Sequence, residues 1–446
     1  MNIVIVGAGD IGFHLCERLS FEKNDITLID TDPQKVEHAK EHLDANIIEG
    51  SGASINILQT ANVENAEIFA ALTNNDEVNI IACQIAKKMG VPTTILRVRN
   101  PEYLSENNIF NKNDLGADFI IQPEQHTANA IVQLIRQANA TDIIEIEEGK
   151  VTLIGVRLDK NCSVLNTPLV EIGNKFGNPP LRILAIKRKL FTIIPKGNDK
   201  LLNGDQIYLI CDKEYLPEAL KHLGKENTHI ENIMIIGGGL VTQFIAQELE
   251  REISIKIIES NEKKANLLAE KLKNALVING DGSDIDLLMF EGLTDMDEFI
   301  AASSDDEKNL ITSLIARHLQ IPRTITVVRK MEYVSLTHAI GLDAVVNKQM
   351  ITVNVIKQII RRRKLALFAE IPSIDAEIME FIAHPNSKIT KYPLYKIDFP
   401  NDAIVGAVIK PDNSLIIPRG NTQIEPDDKV IVFTLPKSLN AVEKLF

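Results

Sequence analysis

The chain has 446 residues, of which 45% are apolar and 24% are charged, so it is long enough for about three domains and is not disordered as a whole. Its 48 basic and 61 acidic residues give a net charge of −13, and only 5% of its residues are aromatic. Nucleic-acid binding depends on basic side chains for phosphates and aromatic rings for bases, so we expect no nucleic-acid partner.

The four cysteines are widely spaced and include no Cys-x-x-Cys pair, which is typical of buried thiols in a reducing cytoplasm. We expect no disulfide framework and no metal site. No apolar run reaches the roughly 18 residues that span a bilayer. The first strand begins at Asn2 with no basic segment before it, so we expect no signal peptide and a cytoplasmic location.

In chain order, the first 121 residues alternate Val/Ile-rich runs with amphipathic helical patterns. Strands are predicted at 2–6, 26–30, 46–49, 67–72, 93–98 and 118–121. Continuous apolar strands separated by helices indicate a parallel sheet that is covered on both faces. A helix from Glu124 to Arg136 then leads into a smaller module, in which a Pro-x-Gly turn and an Asp-containing turn precede a strand at 206–210.

The second half of the chain repeats the first. Gly7–Gly9 correspond to Gly237–Gly239 at an offset of 230 residues, and the offset falls to 223 in the smaller modules. Strands are predicted at 232–236, 254–258, 276–278, 298–302, 324–328 and 344–346, and a helix at 347–363. The predicted fold is α/β, with two Rossmann-like parallel-sheet domains (1–121 and 231–346), each followed by a small α+β module (141–225 and 366–446).

The first half carries a dinucleotide fingerprint, Gly-Ala-Gly-Asp-Ile-Gly at 7–12, between a strand and a helix. Gly7 permits the tight turn, Gly9 lets the backbone approach a pyrophosphate, and Gly12 allows the helix to pack closely. The amides at the start of the helix then face the phosphates. The candidate ligand-binding residues here are Gly7, Ala8, Gly9, Asp10 and Ile11.

Asp30 ends the second predicted strand, 23 residues after Gly7. An acid at this place binds ribose hydroxyls and repels a 2′-phosphate, so NAD-type ligands are favoured over NADP. The alternative is a glycine turn with an unused acid.

The second half has Gly-Gly-Gly-Leu-Val-Thr at 237–242 and an acid, Glu259, 22 residues after Gly237. Thr242 replaces the third glycine, so the helix is predicted to lie slightly farther from its strand. The candidate residues are Gly237, Gly238, Gly239, Leu240, Val241 and Glu259. A degenerate copy retained for packing symmetry is the alternative.

Ligands of parallel sheets bind at the carboxyl ends of the strands. The candidates at these ends in the first half are Ser51, Thr73, Asn74 and Arg97. The corresponding candidates in the second half are Asp281, Ser303 and Ser304. Arg97 is either a phosphate ligand or a solvated charge. Val327 replaces it in the second half, so the two sites are predicted to differ.

A dehydrogenase would need a catalytic acid, base or metal beside the nicotinamide, and no such pattern of residues is evident. We therefore predict a nucleotide sensor and not an enzyme. The alternative is an NAD-dependent oxidoreductase with duplicated Rossmann domains.

The duplicated order of these motifs resembles the TrkA family of regulators of Trk-system potassium uptake, over essentially the whole chain. In this family's terms, each half is similar to an RCK (regulator of potassium conductance) N-terminal domain followed by an RCK C-terminal domain. The resemblance implies NAD(H) as a ligand, with ATP and ADP as further candidates, at the residues named above. It also implies a homo-oligomeric ring, a tetramer in the family. Such a ring lies on the cytoplasmic face of the inner membrane and gates a Trk-type potassium-translocating subunit.

Overall fold

The computed structural model describes residues 1–20, 24–104, 111–147, 149–176, 179–189, 191–225, 229–361, 367–371, 374 and 376–446. Contacts divide the chain into two units. The first comprises Met1–Thr127 and Lys348–Ile360, and the second comprises Ala128–Asn347 and Arg361–Phe446.

The first unit contains a six-stranded parallel sheet with the order β3-β2-β1-β4-β5-β6. Its strands are β1 (Asn2–Val6), β2 (Asp25–Asp30), β3 (Asn46–Glu49), β4 (Ile68–Ala71), β5 (Thr93–Arg97) and β6 (Phe119–Ile121). Its helices are α1 (Asp10–Ser20), α2 (Pro33–His42), α3 (Ile55–Thr60) and α4 (Asp76–Lys88), and α5 (Pro123–Arg136) follows. The strand order reverses between β1 and β4, which is where doubly wound sheets bind ligands.

Helices cover both faces of this sheet, which explains the uninterrupted apolar sequence of β1. Ile3 and Ile5 belong to the hydrophobic cluster on one face, and Val4 and Val6 belong to the cluster on the other. All four residues are at most 3% exposed. A strand whose alternate residues both face helices must be apolar throughout.

In the second unit, the first small module follows α5 in sequence. The elements of this module are β7 (Asp142–Ile146), β8 (Val151–Arg157), α6 (Leu169–Lys175), β9 (Leu181–Arg188), β10 (Phe191–Ile193), β11 (Gln206–Asp212) and α7 (Leu216–His222). They form a five-stranded sheet with the order β10-β9-β11-β8-β7.

The second parallel sheet follows, with the order β14-β13-β12-β15-β16-β17. Its strands are β12 (Asn232–Ile236), β13 (Ser254–Glu259), β14 (Leu276–Asn279), β15 (Glu298–Ala301), β16 (Arg323–Val328) and β17 (Ala344–Asn347). Its helices are α8 (Leu240–Leu249), α9 (Glu262–Lys271), α10 (Ile285–Phe290), α11 (Asp306–His318) and α12 (Met331–Ile340), and α13 (Lys348–Arg361) follows. The order is that of the first sheet, so the predicted pair of Rossmann-like sheets is confirmed.

The second small module contains β18 (Leu367–Ile371), β19 (Ala376–Ile382), β20 (Ala403–Ile409), β21 (Leu415–Ile416), β22 (Lys429–Thr434) and α14 (Leu439–Glu443). Its order, β18-β19-β22-β20-β21, is that of the first small module read from the other edge. The two modules share a hydrophobic core that includes Tyr208 and Phe433, and residues of both line a cavity of about 470 Å³. The predicted duplication therefore extends to the small modules.

The two helices that follow the parallel sheets are exchanged between the units. Val353, Ile356 and Ile360 of α13 are at most 1% exposed and belong to the core around β1. Most of α5, in contrast, belongs to the second unit, where Arg323 of β16 donates hydrogen bonds of 2.7 Å to the carbonyl oxygens of Leu134 and Ala140. The sequence predicted both helices but not this exchange.

Candidate nucleotide-binding sites

The turn after β1, Gly7–Gly9, is called the first glycine turn below. Gly7 has a φ of +106°, and a Cβ built on it would lie 3.0 Å from the backbone nitrogen of Thr73. A Cβ built on Gly12 would lie 1.8 Å from the carbonyl oxygen of Gly7, so a side chain there would separate α1 from the turn. Apart from neighbours in the chain, no described atom lies within 4 Å of a Cβ built on Gly9, so its backbone is open to a ligand.

The helix that follows this turn presents backbone amides to the same space. Its first residues, Asp10 and Ile11, have no acceptor for their amides within the helix, because the first helical hydrogen bond runs from Phe13 to Gly9. Ile11 is 6% exposed and packs in the core, as does Ala8, so these residues can offer a ligand only their backbone.

Asp30, at the end of β2, is fixed against the first glycine turn. Its Oδ2 accepts a hydrogen bond of 2.6 Å from the amide of Ala8, and its Oδ1 accepts one of 2.9 Å from the amide of Asp32. A carboxylate has about four lone-pair sites, so two of them remain for other donors. The carboxylate therefore has a defined position beside the turn and keeps the capacity to bind hydroxyls.

The turn after β4 is held by a residue that sequence analysis missed. Thr73 donates to Oδ1 of Asn79 from both its hydroxyl (2.6 Å) and its amide (3.0 Å). The side-chain amide of Asn79 donates to the carbonyl oxygens of Thr73 and Arg97, each at 3.0 Å. A signal was present in the sequence, because Asn79 is repeated as Asn309 at the offset of 230.

Arg97, at the end of β5, is 7% exposed and is bonded to the chain itself. Its Nη1 donates to the carbonyl oxygens of Leu72 and Thr73 and to Oδ1 of Asn74, at 3.0, 3.3 and 2.9 Å. Its buried Nε has no acceptor among the described residues. Burial lowers the pKa of Arg97 below its usual value. The solvated charge considered above is therefore excluded.

The start of α13 contributes two side chains near the first glycine turn. Gln349 donates to Oδ2 of Asp10 at 2.5 Å, and Lys348 donates to Oε1 of Glu124 at 2.8 Å. Burial alone would raise the pKa of Glu124, but the charge and hydrogen bond of Lys348 hold it below its usual value. These contacts were not predicted from the sequence, because they depend on the exchange of α13.

The second glycine turn, Gly237–Gly239, repeats the geometry of the first. Gly237 has a φ of +99°, and a Cβ built on Gly239 would meet no described atom within 4 Å. Glu259, at the end of β13, accepts from the amide of Gly238 at 2.6 Å and from the amide of Asn261 at 2.7 Å. The acid of each half is thus bonded to the second residue of its glycine turn.

Thr242 changes how α8 meets the second turn. Its hydroxyl donates a hydrogen bond of 2.6 Å to the carbonyl oxygen of Gly237, and the side chain is fully buried. A Cβ at the equivalent position of the first half, Gly12, would lie 1.8 Å from the carbonyl oxygen of Gly7 and collide with it. Leu240 is half-buried and Val241 is 8% exposed.

The turn after β15 repeats the Asn79 arrangement. Ser303 donates to Oδ1 of Asn309 at 2.6 Å, and Asn309 donates to the carbonyl oxygen of Val327 at 2.9 Å. Ser304 is exposed. Val327 is buried and carries no charge, so the second site lacks the guanidinium that Arg97 places in the first.

An ion pair occurs at the second site and has no equivalent at the first. The ammonium group of Lys308, in the first turn of α11, contacts Oδ1 of Asp281, in the turn after β14. The corresponding residues of the first half are Val78 and Ser51, which cannot form an ion pair. The two halves therefore differ in this pair, which was not predicted, as well as at Arg97 and Val327.

All four cysteines are buried, as expected, and their thiols are free. Burial raises the pKa of Cys16 and of Cys211 to about 12, so neither is a thiolate at neutral pH. Within the described residues, no cluster of three or more His, Cys, Asp or Glu could hold a metal ion. Among the described residues, no helix could span a lipid bilayer.

The sequence matches two domain families twice each. The TrkA-N domain matches residues 3–123 and 233–348, and the TrkA-C domain matches residues 153–224 and 378–446. The chain is 31% identical to the Trk system potassium uptake protein TrkA of Azorhizobium caulinodans, over 100% of this chain and 98% of that protein.

Two solved structures share the fold at low sequence identity. The GsuK channel bound to NAD has a TM-score of 0.62 and 18% identity, covering 100% of this chain and 78% of that one. GsuK bound to ADP has a TM-score of 0.53 and 15% identity, covering 81% and 70%. The domain matches and the full-length identity together place this chain in the TrkA family of Trk-system potassium uptake proteins.

Proposed function

We propose that this chain is a regulatory subunit that binds NAD(H) and adenine nucleotides at its two glycine turns and gates a Trk-type potassium uptake transporter. The observation that carries the proposal is the acid anchored beside each turn, Asp30 on the amide of Ala8 and Glu259 on that of Gly238, both at 2.6 Å. A carboxylate held in this way can accept hydrogen bonds from both hydroxyls of an unphosphorylated ribose. Membership of the TrkA family and the fold shared with NAD- and ADP-bound GsuK support the ligand class.

The nucleotide-binding domains in this proposal are residues 1–121 and 231–346. The pyrophosphate lies at the amides of each glycine turn, and the ribose lies on the acid. At the first turn the phosphates come close to Asp10, which is bonded to Gln349 of α13. Because α13 belongs to the same unit as this turn, a ligand that changes this contact acts directly on α13.

Gating requires only that the nucleotide bind one arrangement of the assembly more tightly than another. No bond of the nucleotide has to break. The four cysteines support this non-enzymatic role, since each is buried and burial keeps its pKa high. We therefore expect the nucleotide to be released unchanged.

Exposed apolar residues support self-assembly into a ring. Ile55 of α3 and Ile81 of α4 are 55% and 45% exposed, on helices that pack on the same face of the first sheet. Ile285 and Ile311 repeat them at the offset of 230 and are 43% and 56% exposed. A repeated apolar surface of this kind fits an equivalent surface on another copy. The ring then lies on the cytoplasmic face of the membrane, against the potassium-translocating subunit.

The test is calorimetric titration of the full chain with NAD, NADH, ADP and ATP, followed by potassium flux with the transporter in vesicles. Gly9→Glu and Gly239→Glu block the two sites separately, because a side chain at either glycine enters open space and a carboxylate there repels phosphate. We expect each variant to lose one class of binding site and the wild type to leave the nucleotides unconverted.

A matched control is Gly90→Glu, since a Cβ built on Gly90 also meets no described atom within 4 Å and the residue lies beyond α4 at the opposite end of the sheet. Gly90 has a φ of +93°, which a side chain disfavours, so the thermal stability of the Gly90→Glu protein must also be measured. The proposal fails if none of the four nucleotides binds the wild type, or if nucleotide binding leaves potassium flux unchanged. Turnover of the nucleotide would instead favour an oxidoreductase.

A further inference from the structure

The ion pair between Lys308 and Asp281 joins two segments that lie beside the second glycine turn. Asp281 is held in place by Ser283, whose amide and hydroxyl donate to its Oδ1 at 2.9 and 2.7 Å. Lys308 is 26% exposed and Asp281 is 58% exposed. The pair is therefore a contact near the surface between the turn after β14 and the first turn of α11.

The turn after β14 and the turn after β15 both pack at the end of β12, where the second glycine turn begins. A Cβ built on Gly282 would lie 2.2 Å from the side chain of Ile236, the last residue of β12. On the other flank, a Cβ built on Gly237 would lie 2.7 Å from the Cα of Ser303, in the turn that leads into α11. In the sheet, β13 and β12 lie between β14 and β15. The ion pair therefore joins the turn after β14, which packs on the end of β12, to the helix that follows the turn after β15, and both residues lie at the carboxyl edge of the sheet that carries the glycine amides and Glu259.

The two sites differ in the charge that a phosphate would meet. At the first site, α1 begins with Asp10, and the guanidinium of Arg97 is engaged with three oxygen atoms of the chain. At the second site, α8 begins with Leu240, and the cation is Lys308 on a flexible side chain. A lysine can turn from one acceptor to another, whereas a guanidinium bonded to backbone carbonyls is fixed.

We propose that Lys308 binds the phosphates of the nucleotide in the second site, and that Asp281 holds Lys308 while the site is empty. This inference rests on the proposed function. Binding then exchanges one anionic partner of Lys308 for another and releases Asp281 to solvent. Because Asp281 is already more than half exposed, its release costs little.

The exchange makes the second site selective for phosphate charge. A terminal phosphate carries about two negative charges and three acceptor oxygens, whereas each phosphate of a dinucleotide is a diester with about one charge. A terminal phosphate therefore displaces Asp281 from Lys308 more readily. The second site should favour ADP over NAD. The first site should not, because its helix α1 begins with Asp10 and the nearby Lys348 is already bonded to the buried carboxylate of Glu124.

The experiment uses the full chain with Gly9→Glu, so that calorimetry reports the second site alone. Asp281→Ser and Lys308→Val are introduced separately, because these are the residues of the first half. We expect Lys308→Val to weaken ADP binding about tenfold, as for a lost hydrogen bond between charged groups. We expect Asp281→Ser to strengthen it about threefold, because Lys308 loses its competitor. NAD affinity should change less than twofold in both.

The opposite signs separate ligand binding from a structural role. If the ion pair only stabilises the fold, both substitutions lower the thermal unfolding temperature and shift ADP affinity in the same direction or not at all. That result overturns the inference and leaves the proposed function standing. If neither nucleotide binds the Gly9→Glu protein, the inference and the proposed second nucleotide site both fail. A gain of affinity in Asp281→Ser cannot arise from misfolding.

Discussion

Gln349 donates a hydrogen bond of 2.5 Å to Asp10, although the two residues are 339 positions apart in the chain. The contact joins the first turn of α13 to the first turn of α1, at the edge of the first glycine turn. Lys348 adds a second link through its hydrogen bond to Glu124. The candidate first site therefore includes residues that follow the second sheet in sequence. In the proposed function, a phosphate bound at α1 would act directly on a contact of α13.

We expect Gln349→Ala to separate nucleotide binding from its effect on transport. The substitution removes one hydrogen bond at the border of the site, so NAD affinity should fall by about threefold at most. The response of potassium flux to NAD should fall much further. Calorimetry and flux in vesicles measure the two quantities. Gln59→Ala, at an exposed position on α3, is the matched control and should change neither. Equal losses of affinity and response would show that Gln349 only supports the site.

The strands of the parallel sheets could be predicted from the sequence because each one is marked by a local run of apolar residues. The strands of both sheets lie within about one or two residues of their predicted bounds, since buried strands such as β1 need continuous apolar runs. The exchange of α5 and α13 could not be predicted in the same way. Either helix presents an apolar face that fits any parallel sheet, and Val353, Ile356 and Ile360 do not specify which sheet they cover.

We expect Asp30→Asn to change the ligand preference of the first site. An asparagine can still accept a hydrogen bond from the amide of Ala8, but it lacks the charge that repels a 2′-phosphate. NAD affinity should fall about tenfold and the ratio of NAD to NADP affinity should approach one. Titration with both nucleotides in a Gly239→Glu background measures this. Asp32→Asn, at the N-cap of α2, is the control and should leave the ratio unchanged.

Substitutions at the third glycine position of the fingerprint, Gly12 in the first half and Thr242 in the second, should lower the stability of the protein by different amounts. Gly12→Ala places a methyl group 1.8 Å from the carbonyl oxygen of Gly7, so α1 must move, and we expect a loss of about 2 kcal/mol or more. Thr242→Val keeps the volume of the side chain and removes its hydrogen bond to Gly237, which should cost about 1 kcal/mol. Thermal unfolding of the two variants measures the difference. Equal losses would mean that the turn of the first half relaxes freely.

The site itself was only partly predictable, for reasons that differ between residues. The glycines and acids could be proposed from sequence because each lies at the end of a predicted strand, the glycines after β1 and β12 and the acids on β2 and β13. Asn79 and Lys308 were missed because an interior polar residue and a surface lysine are common in helices, and their partners, Thr73 and Asp281, lie in other turns. A comparison of the halves position by position would have found Asn79, which is repeated, but not Lys308, which replaces Val78.

Glu298 should make the stability of the second unit depend on pH. It begins β15 and is fully buried, and burial raises its pKa to about 7 although the guanidinium of Arg323 lies 2.9 Å away. In the unfolded chain the pKa returns to about 4.5, so between these values the folded state holds the proton more strongly. The stabilisation from the protonated acid is complete below pH 4.5 and is lost as pH rises through about 7.

We therefore expect Glu298→Gln, which is neutral at every pH, to lose less stability than the wild type when the pH rises from about 5 to about 8. The thermal unfolding temperature of the wild type should fall by about 3 °C more than that of the variant over this range. Arg323 keeps its bonds to the carbonyl oxygens of Leu134 and Ala140 in the variant, so the fold is retained. Glu262→Gln, at an exposed position of α9, should follow the wild-type curve. If the curves of Glu298→Gln and the wild type run parallel, then Glu298 is ionised throughout, and the charge of Arg323 outweighs the effect of burial.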